Sequence, residues 1–421
     1  MTSVSPRRFA TARRAGFMSF LLMGQVVLCS VAWVPEYIDR LGVSFATWGF
    51  ILSFAPLGAI TAVVLAPSVI SRAGAMPVVR VGAILSAGFL IPLGFTDSVV
   101  TWTAINTVFN FTASLTGMAV NTHAVMLQRK VPESIMSGMH AGWSIGAVMA
   151  AATGAIASVF ISLQAYLILV AVVTAVGVFV TSRFLLSPAE DGHREERLSG
   201  TRIPFYRFPP RLWLLSFGLL CSVMPEIAVL EWSATLARAS GVDLVLRALP
   251  FATFMMGMIV GRLAISRLTR RFDVHSISVA GAMISGSAMA AGLWGAHLLG
   301  AYSAELGIIW LAALWLFAGL GLAPLGPTMI STSSTVPGLT TAQAVGTLVF
   351  VTQSVSIGAK IAMGAVAEGY GVSWAFVLPV ALIFFGAAIA HRTSEKTQAR
   401  DLELVNPPTG PLPVFSVEDK D

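Results

Sequence analysis

Two glutamates, Glu226 and Glu231, a single lysine, Lys360, and a row of amides interrupt stretches of sequence that are otherwise apolar. Ionisable groups are costly at bilayer depth, and they persist there where they bind a solute, relay a proton or hold a partner. Glu226 follows Pro225, which removes a helical donor and can open backbone beside the carboxylate. Glu231 precedes Trp232 and lies about 7.5 Å farther along a helix that rises 1.5 Å per residue. Five residues turn the two acids roughly 140° apart, so an intact helix aims them at different neighbours. One acid can then carry a proton while the other pairs. Arg238, seven residues beyond Glu231 and on its face, is the expected local partner. Lys360 is a candidate neighbour of Glu226; it needs a carboxylate, an anionic solute or a route for its stem to the interface.

The amides fall on helical spacing. Asn106 and Asn110 stand one turn apart, and Asn121 and Gln128 return to the same face. Gln25 and Gln353 are placed near mid-span, the latter on one side with Ser356 and Lys360. Such amides can hydrogen-bond a polar solute or bridge packed helices. Trp33, Trp143 and Trp232 can stack on a ring, although Trp33 also fits an interfacial anchor. The candidate solute contacts are therefore Gln25, Trp33, Asn106, Asn110, Trp143, Trp232, Gln353 and Lys360, with Glu226 and Glu231 as proton carriers. His123 and His140 fit buried, satisfied imidazoles better than shuttles, and no acid or cysteine stands at metal-ligand spacing from them. Gly138, Gly142 and Gly146 repeat a small-xxx-small spacing that lets helices approach closely.

The chain that positions these groups has 421 residues, of which 56% are hydrophobic and 11% charged, and a mean hydropathy of +0.81. A soluble domain carries about a quarter charged residues. This composition belongs in lipid. A crossing helix needs about 20 apolar residues. Runs of that kind fall near 15–38, 46–70, 78–95, 100–128, 135–161, 164–186, 212–237, 243–265, 276–297, 305–331, 341–367 and 372–391. Twelve crossings leave both ends on one side. Of the 26 basic residues, only Arg40, Arg238 and Arg247 fall on the side away from the ends, and Lys360 lies inside a span. By the positive-inside rule both ends are cytoplasmic, and the net charge of +6 reports topology rather than nucleic-acid binding. The first run, after four arginines and ending in Ser30-Val31-Ala32, also fits a signal peptide. Cleavage there would leave eleven spans and break the repeat described next.

Trp33 and Gly42-Val43 recur as Trp232 and Gly241-Val242, an offset of 199. Ser71-Arg72 recurs as Ser266-Arg267, and Ser144-Ile145-Gly146-Ala147 as Ser356-Ile357-Gly358-Ala359. Each match links span n to span n+6, which indicates a duplicated six-helix unit. The order expected is a tail over 1–14, a six-helix bundle over 15–186, a charged and proline-rich linker over 187–211, a second bundle over 212–391, and a tail over 392–421 with the composition of disorder.

Six plus six helices joined by such a linker resemble the major facilitator superfamily. The stretches AWVPEYIDRLGVSFATWGF, NTHAVMLQRKVPESIMSGMHAGWSIGA and EIAVLEWSATLARASGV with GRLAISRLTRRF are similar to a bacterial fucose-permease-like branch of that superfamily, most of whose members lack a known substrate. The branch's acid, four residues, second acid and Trp-Ser match Glu226 and Glu231-Trp232-Ser233. The resemblance implies an all-α membrane fold of two pseudo-symmetric six-helix bundles. Spans one, four, seven and ten would line a central cavity, two, five, eight and eleven would assist, and three, six, nine and twelve would be peripheral. Two departures stand out. Ser71 and Ser266 occupy positions where the superfamily's loops usually carry an acid before the arginine, and the buried arginine of span four and the Gly-Pro of span five found in many proton-coupled drug exporters are missing.

The function expected is secondary active transport of a small polar solute across the cell membrane, an inner membrane, by alternating access with proton coupling. Export of a metabolite or drug, or a non-transporting membrane sensor of the same fold, are the rival readings. No GxxxxGK[ST] loop indicates ATP-driven pumping, and no Ser/His/Asp or HExxH set indicates an enzyme. No cofactor, metal or nucleic acid is expected. The solute, the lipid bilayer and protons are the expected partners of a monomer. Reporter fusions at residue 200 and at the C-terminus should both report cytoplasm; an external signal from either would overturn the twelve-span orientation.

Overall fold

The computed structural model describes residues 5–128, 135–187, 190, 209–333, 336 and 341–394. Among these residues every regular element is helical, and the helices form twelve rods. Span one runs from Pro6–Leu28 through a short 3-10 turn into Val34–Leu41. Span two joins Phe45–Leu52 to Ala55–Ala73, span three is Ala75–Leu93, and span four Val99–Gln128. Span five is Met136–Phe160 and span six Leu163–Ser182. Span seven is Pro210–Ala239, and span eight joins Leu244–Arg247 to Leu249–Leu268. Span nine is Val274–Gly300, span ten Ala304–Leu322 with Leu325–Ser333, and span eleven Thr341–Tyr370. Span twelve joins Val372–Ala375 to Val377–Arg392. Eleven rods are long and apolar enough to cross a membrane. Span four falls short of that apolarity because it carries Asn106, Asn110 and Asn121 with a series of threonines.

The breaks follow proline. The second segments of spans one, two and eight each open with a proline in their first turn, where its missing N–H costs nothing. Span ten stops at Leu322 and restarts at Leu325 around Pro324, which is the bend that Pro324 and Pro327 predict. Span seven departs from expectation: it runs unbroken through Pro225, so no open backbone lies beside Glu226. The tail expected over 1–14 is helical from Pro6, capped by the Ser5 hydroxyl, which accepts from the Arg8 amide at 3.4 Å. Arg8 also donates to the Phe184 and Leu185 carbonyls, each at 2.6 Å, and pairs with Glu190 at 2.7 Å. Hydrogen bonding from Arg8 holds the Glu190 carboxyl down to about 2, so this clasp persists until pH falls well below the usual carboxylate range. Linker residues 188, 189 and 191–208, tail residues 395–421 and the Gln128 side chain lie outside the described residues.

The packing repeats as the sequence does. Span two lies on four, three on four and six, and one on five and six; span eight lies on ten, nine on ten and twelve, and seven on eleven and twelve. Gly42 and Gly241, at the 199 offset, both have positive φ, 60° and 83°, where a side chain would be strained. Gly58 and Gly257, at the same offset, each sit at a crossing: a Cβ would lie 2.2 Å from the Thr107 carbonyl oxygen and 1.9 Å from that of Leu316. Outward faces carry Val172, Val176 and Phe179 on span six and Trp294 and Leu298 on span nine, apolar surface suited to lipid.

Spans one and five touch at backbone distance. A Cβ on Gly146 would stand 2.1 Å from the Leu21 oxygen and one on Gly142 2.9 Å from the Phe17 oxygen, whereas Gly138 and Gly358 face open space. Gly146→Ala should therefore lower stability by about 1–3 kcal/mol through overpacking, while Gly358→Ala, its partner in the repeat, should leave the thermal midpoint of the purified protein nearly unchanged. Equal midpoints for the two variants would contradict this packing.

Candidate functional site

Where the two six-helix bundles meet, the interface is hollow. The larger cavity, of about 790 Å³, lies in the half of the bundle nearer the chain ends and is walled by spans one, four, five, seven, eight and ten. A deeper chamber of about 230 Å³ continues toward the far side between spans one, two, four, seven and eleven, with Leu93 at the end of span three. Val27, Asn110 and Ser114 wall both. Spans six, nine and twelve contribute to neither, in keeping with their lipid-facing surfaces.

The far side is closed by charge. Asp39 meets Arg238 at 2.6 Å and Glu36 meets Arg247 at 3.6 Å, each pair joining span one to the second bundle. Arg238 also donates to the Pro35 carbonyl at 3.1 Å, and Glu368 accepts from the Phe45 amide at 2.8 Å. Gly49 and Gly364 bring spans two and eleven to backbone contact; a Cβ on Gly49 would lie 2.7 Å from the Gly364 Cα. A third hollow, of about 380 Å³, is walled by Asp39, Phe45, Arg238 and Glu368 at this gate. Asp39 and Arg238 are themselves 199 positions apart, so the duplicated units meet there at equivalent residues.

The ionisable groups pair differently from the local expectation. Glu231 does not pair with Arg238; it accepts from the Lys360 ammonium across to span eleven. Lys360 is 4% exposed, so it does not snorkel, and the carboxylate requirement for it is met within the second bundle. Arg238 is drawn to Asp39 instead because it lies beyond the end of the apolar stretch, level with span one's acids. Glu226 is likewise not beside Lys360. Its partner is Arg262 of span eight at 3.6 Å, and Arg262 donates at 3.0 Å to the Ser144 hydroxyl on span five, crossing from one bundle to the other. Opposite directions from one helix explain both pairs.

Among the expected solute contacts, Asn106, Asn110, Gln353 and Lys360 come together at the deeper chamber with Glu231. Asn110 donates to Asn106 twice, to its carbonyl at 2.8 Å and its side chain at 3.2 Å. Trp143 and Glu226 wall the larger cavity together with Asn121 and His140. Gln25 stands apart: it donates to the Thr153 hydroxyl at 3.0 Å. Trp33 is buried with its ring stacked on Tyr166, centroids 5.7 Å apart, and Trp232 is buried edge-on to Phe45 across the bundle interface. His123 accepts from the Leu186 amide at 3.0 Å, a structural role.

Arg262 and an aromatic wall are not among the residues that sequence singles out. Arg262 reads as one of the basic residues on the side of the chain ends, yet it falls inside the run 243–265, and that position is the available signal. Tyr37, Trp48 and Trp102 wall the deeper chamber, with centroids 5.0 Å apart for the tryptophans and 5.4 Å for Tyr37 and Trp102. In an apolar run such rings look like core or interface anchors. What distinguishes them is polarity: both indole N–H groups are buried with no hydrogen-bond partner among the described residues. Glu231 keeps one such free oxygen.

No family model matches the chain. Over 275 residues it is 28% identical to an uncharacterized transporter of Sinorhizobium fredii, spanning 65% of this chain and 71% of that one. Over 274 residues it is 24% identical to an uncharacterized MFS-type transporter of Yersinia pestis, spanning 64% and 68%. Among solved structures, a variant of the nucleoside transporter NupG matches with a TM-score of 0.71 over 92% of this chain and 98% of that one, at 16% identity. A bacterial homologue of the human lysosomal transporter Spinster, inward-facing and occupied, gives 0.64 over 94% and 99%, also at 16%. The chain has the major facilitator fold, and its sequence relatives are transporters, not enzymes.

The Glu231–Lys360 pair yields a stability prediction. Lys360→Met strands a buried carboxylate and should cost about 3–5 kcal/mol. Replacing both, as Lys360→Met with Glu231→Gln, should recover most of that loss in thermal unfolding of the purified protein. A double variant no more stable than the single one would argue against the pairing.

Proposed function

We propose that this chain is a secondary transporter that moves a small polar solute across the cell membrane by alternating access, coupled to protons. The observation that carries the reading is a central hollow between two six-helix units, closed on the far side by Asp39–Arg238 and Glu36–Arg247 and wide on the side of the chain ends. The distribution of arginine and lysine puts that wide side in the cytoplasm, in which case the structure is inward-facing. Glu226 and Glu231 sit in span seven at the hollow, one engaged with Arg262 and the other with Lys360, as carboxylates that could exchange protons when the bundles rock. Asn106, Asn110 and Gln353 supply amides for a polar solute, and Trp143 an aromatic face. Outward opening requires Asp39 and Glu36 to leave Arg238 and Arg247; the exposed Asp39–Arg238 pair parts at small cost, whereas Glu36–Arg247 is half-buried and holds more firmly.

Counterflow in proteoliposomes tests this reading, with panels of sugars, nucleosides, amino acids and organic acids. Transport is expected as exchange of labelled solute against an unlabelled load; a membrane sensor would bind and give no exchange with any member. Asp39→Arg should reduce exchange about tenfold or more, because like charges at a contact cost several kcal/mol. Adding Arg238→Asp restores the opposite pair and should restore exchange. Failure of the swap to restore it would remove the gate from the mechanism.

A further inference from the structure

The deeper chamber holds buried donors that no neighbour satisfies. The indole N–H groups of Trp48 and Trp102 are buried and unpartnered among the described residues, and Lys360 brings an ammonium whose described hydrogen-bond partner is Glu231. Asn106, Asn110 and Gln353 add amides, which both donate and accept. The second oxygen of Glu231 is an unpartnered acceptor beside them. Buried donors without partners cost free energy, so a guest that repays it brings acceptors. The chamber's size limits that guest. About 230 Å³ lies below the roughly 300–1,000 Å³ that holds drug-sized ligands. One wall is a continuous set of three rings, which favours a guest with a flat or ring-shaped apolar body.

Charge then decides the form in which such a guest enters. The chamber is neutral while Glu231 and Lys360 are paired. An anion added to it would leave an uncompensated charge at bilayer depth, which is strongly unfavourable. If the anion takes Lys360 and Glu231 takes a proton, the net charge is unchanged. We propose that the deeper chamber binds a small ring-bearing monocarboxylate together with one proton, the carboxylate replacing Glu231 on Lys360 and the ring lying against Tyr37, Trp48 and Trp102. The proton arrives from the water of the larger cavity and ends on the Glu231 carboxyl. One anion and one proton thus enter together, an electroneutral step. This rests on the transport reading above and specifies its substrate class and its coupling residue.

The neighbours of Glu231 leave it free for this role. Among the described residues, Lys360 of span eleven is its charged contact. Arg262 of span eight is engaged by Glu226, one and a half turns away on Glu231's own helix. Glu36 and Asp39 of span one are held by Arg247 and Arg238 at the far side, where Glu368 of span eleven holds the Phe45 amide. Tyr37, on the same segment of span one, walls the chamber. The segments Val31–Trp33, Leu325–Ser333 and Val372–Ala375, which also pack on span seven, carry no ionisable residue. Span twelve carries only His391 and Arg392, at its end nearest the chain ends.

Binding to the purified full chain tests the proposal through tryptophan fluorescence and thermal shift. The probes are benzoate, 4-hydroxybenzoate and cyclohexanecarboxylate, with 4-hydroxybenzamide as neutral counterpart, at pH 5.5 to 8. Wild type should bind the carboxylates and not the amide, with affinity falling as pH rises, about tenfold per unit where one proton is taken up with the anion. Glu231→Gln, which removes the carboxylate that competes for Lys360, should bind them more tightly than wild type at pH 8. The Lys360→Met, Glu231→Gln double variant, folded by its thermal transition, should bind none. The proposal fails if none of the carboxylates binds wild type, if the amide binds as well as the acids, if wild-type affinity is flat with pH, or if Glu231→Gln binds the acids no more tightly than wild type at pH 8. Counterflow separates the two levels: exchange of uridine or glucose without any of these acids would overturn the carboxylate and leave transport standing. Absence of exchange for every solute, with the acids bound, would overturn transport and leave the site.

Discussion

A lysine ammonium shut away from water must keep a carboxylate beside it, and much of the interface between spans seven and eleven answers to that demand. Removing either charge from such a pair leaves the other stranded in a low-dielectric interior, a penalty larger than the pair's own net worth. Lys360 therefore fixes the rotation of span eleven about its axis, because only one face of span seven presents Glu231. With that rotation set, Gln353 and Lys360 turn toward the chamber, and Gly364 turns toward span two, where only a glycine admits the backbone of Gly49. The same contact that satisfies a charge thus helps to seal the far side.

The two ends of the hollow are built from different physics. The far side closes through the Gly49–Gly364 contact and two ion pairs, of which the exposed Asp39–Arg238 can part and re-form at modest cost. The large cavity is walled mainly by apolar side chains such as Phe20, Met23, Leu219 and Met258, with Arg262 crossing to Ser144 as a polar link between the bundles. Within each bundle, spans meet at glycine crossings such as Gly58 on Thr107 and Gly257 on Leu316, which are close-packed and resist deformation. Rigid bundles with a weakly held seam are what rocking motion needs.

Much of this architecture is legible in the sequence. Apolar run length gives the rods, proline gives the breaks in spans one, two, eight and ten, and the Trp33/Trp232 and Gly42/Gly241 matches mark a repeat that the packing reproduces. Glu226, Glu231 and Lys360 stand out because a charge in an apolar run needs a partner, a solute or a route to the interface. Their pairing is not legible. Spacing along one helix ranks Arg238 first for Glu231, but a neighbour's rotation and depth decide the contact, and those depend on packing between distant segments. The aromatic wall is hidden for a different reason: Tyr37, Trp48 and Trp102 look like ordinary core until the unpartnered N–H groups of the two tryptophans are placed together. Arg262 hid among topological charges because a span's end is uncertain by about the two to four residues that separate a flanking arginine from a cavity-lining one.

The Asp39–Arg238 contact has a further consequence for how such a chain came to exist. A pair of residues at equivalent places in two copies of one unit lies on the axis that relates them, where each residue of a symmetric dimer meets its own image. Two identical subunits would have set like charge against like at that point, or an uncharged residue against itself. Attraction between opposite charges on that axis is available only to unequal halves. Fusing the copies into one chain lets them diverge, so an opposite-charge contact at the axis is open to the duplicated chain and closed to two identical units.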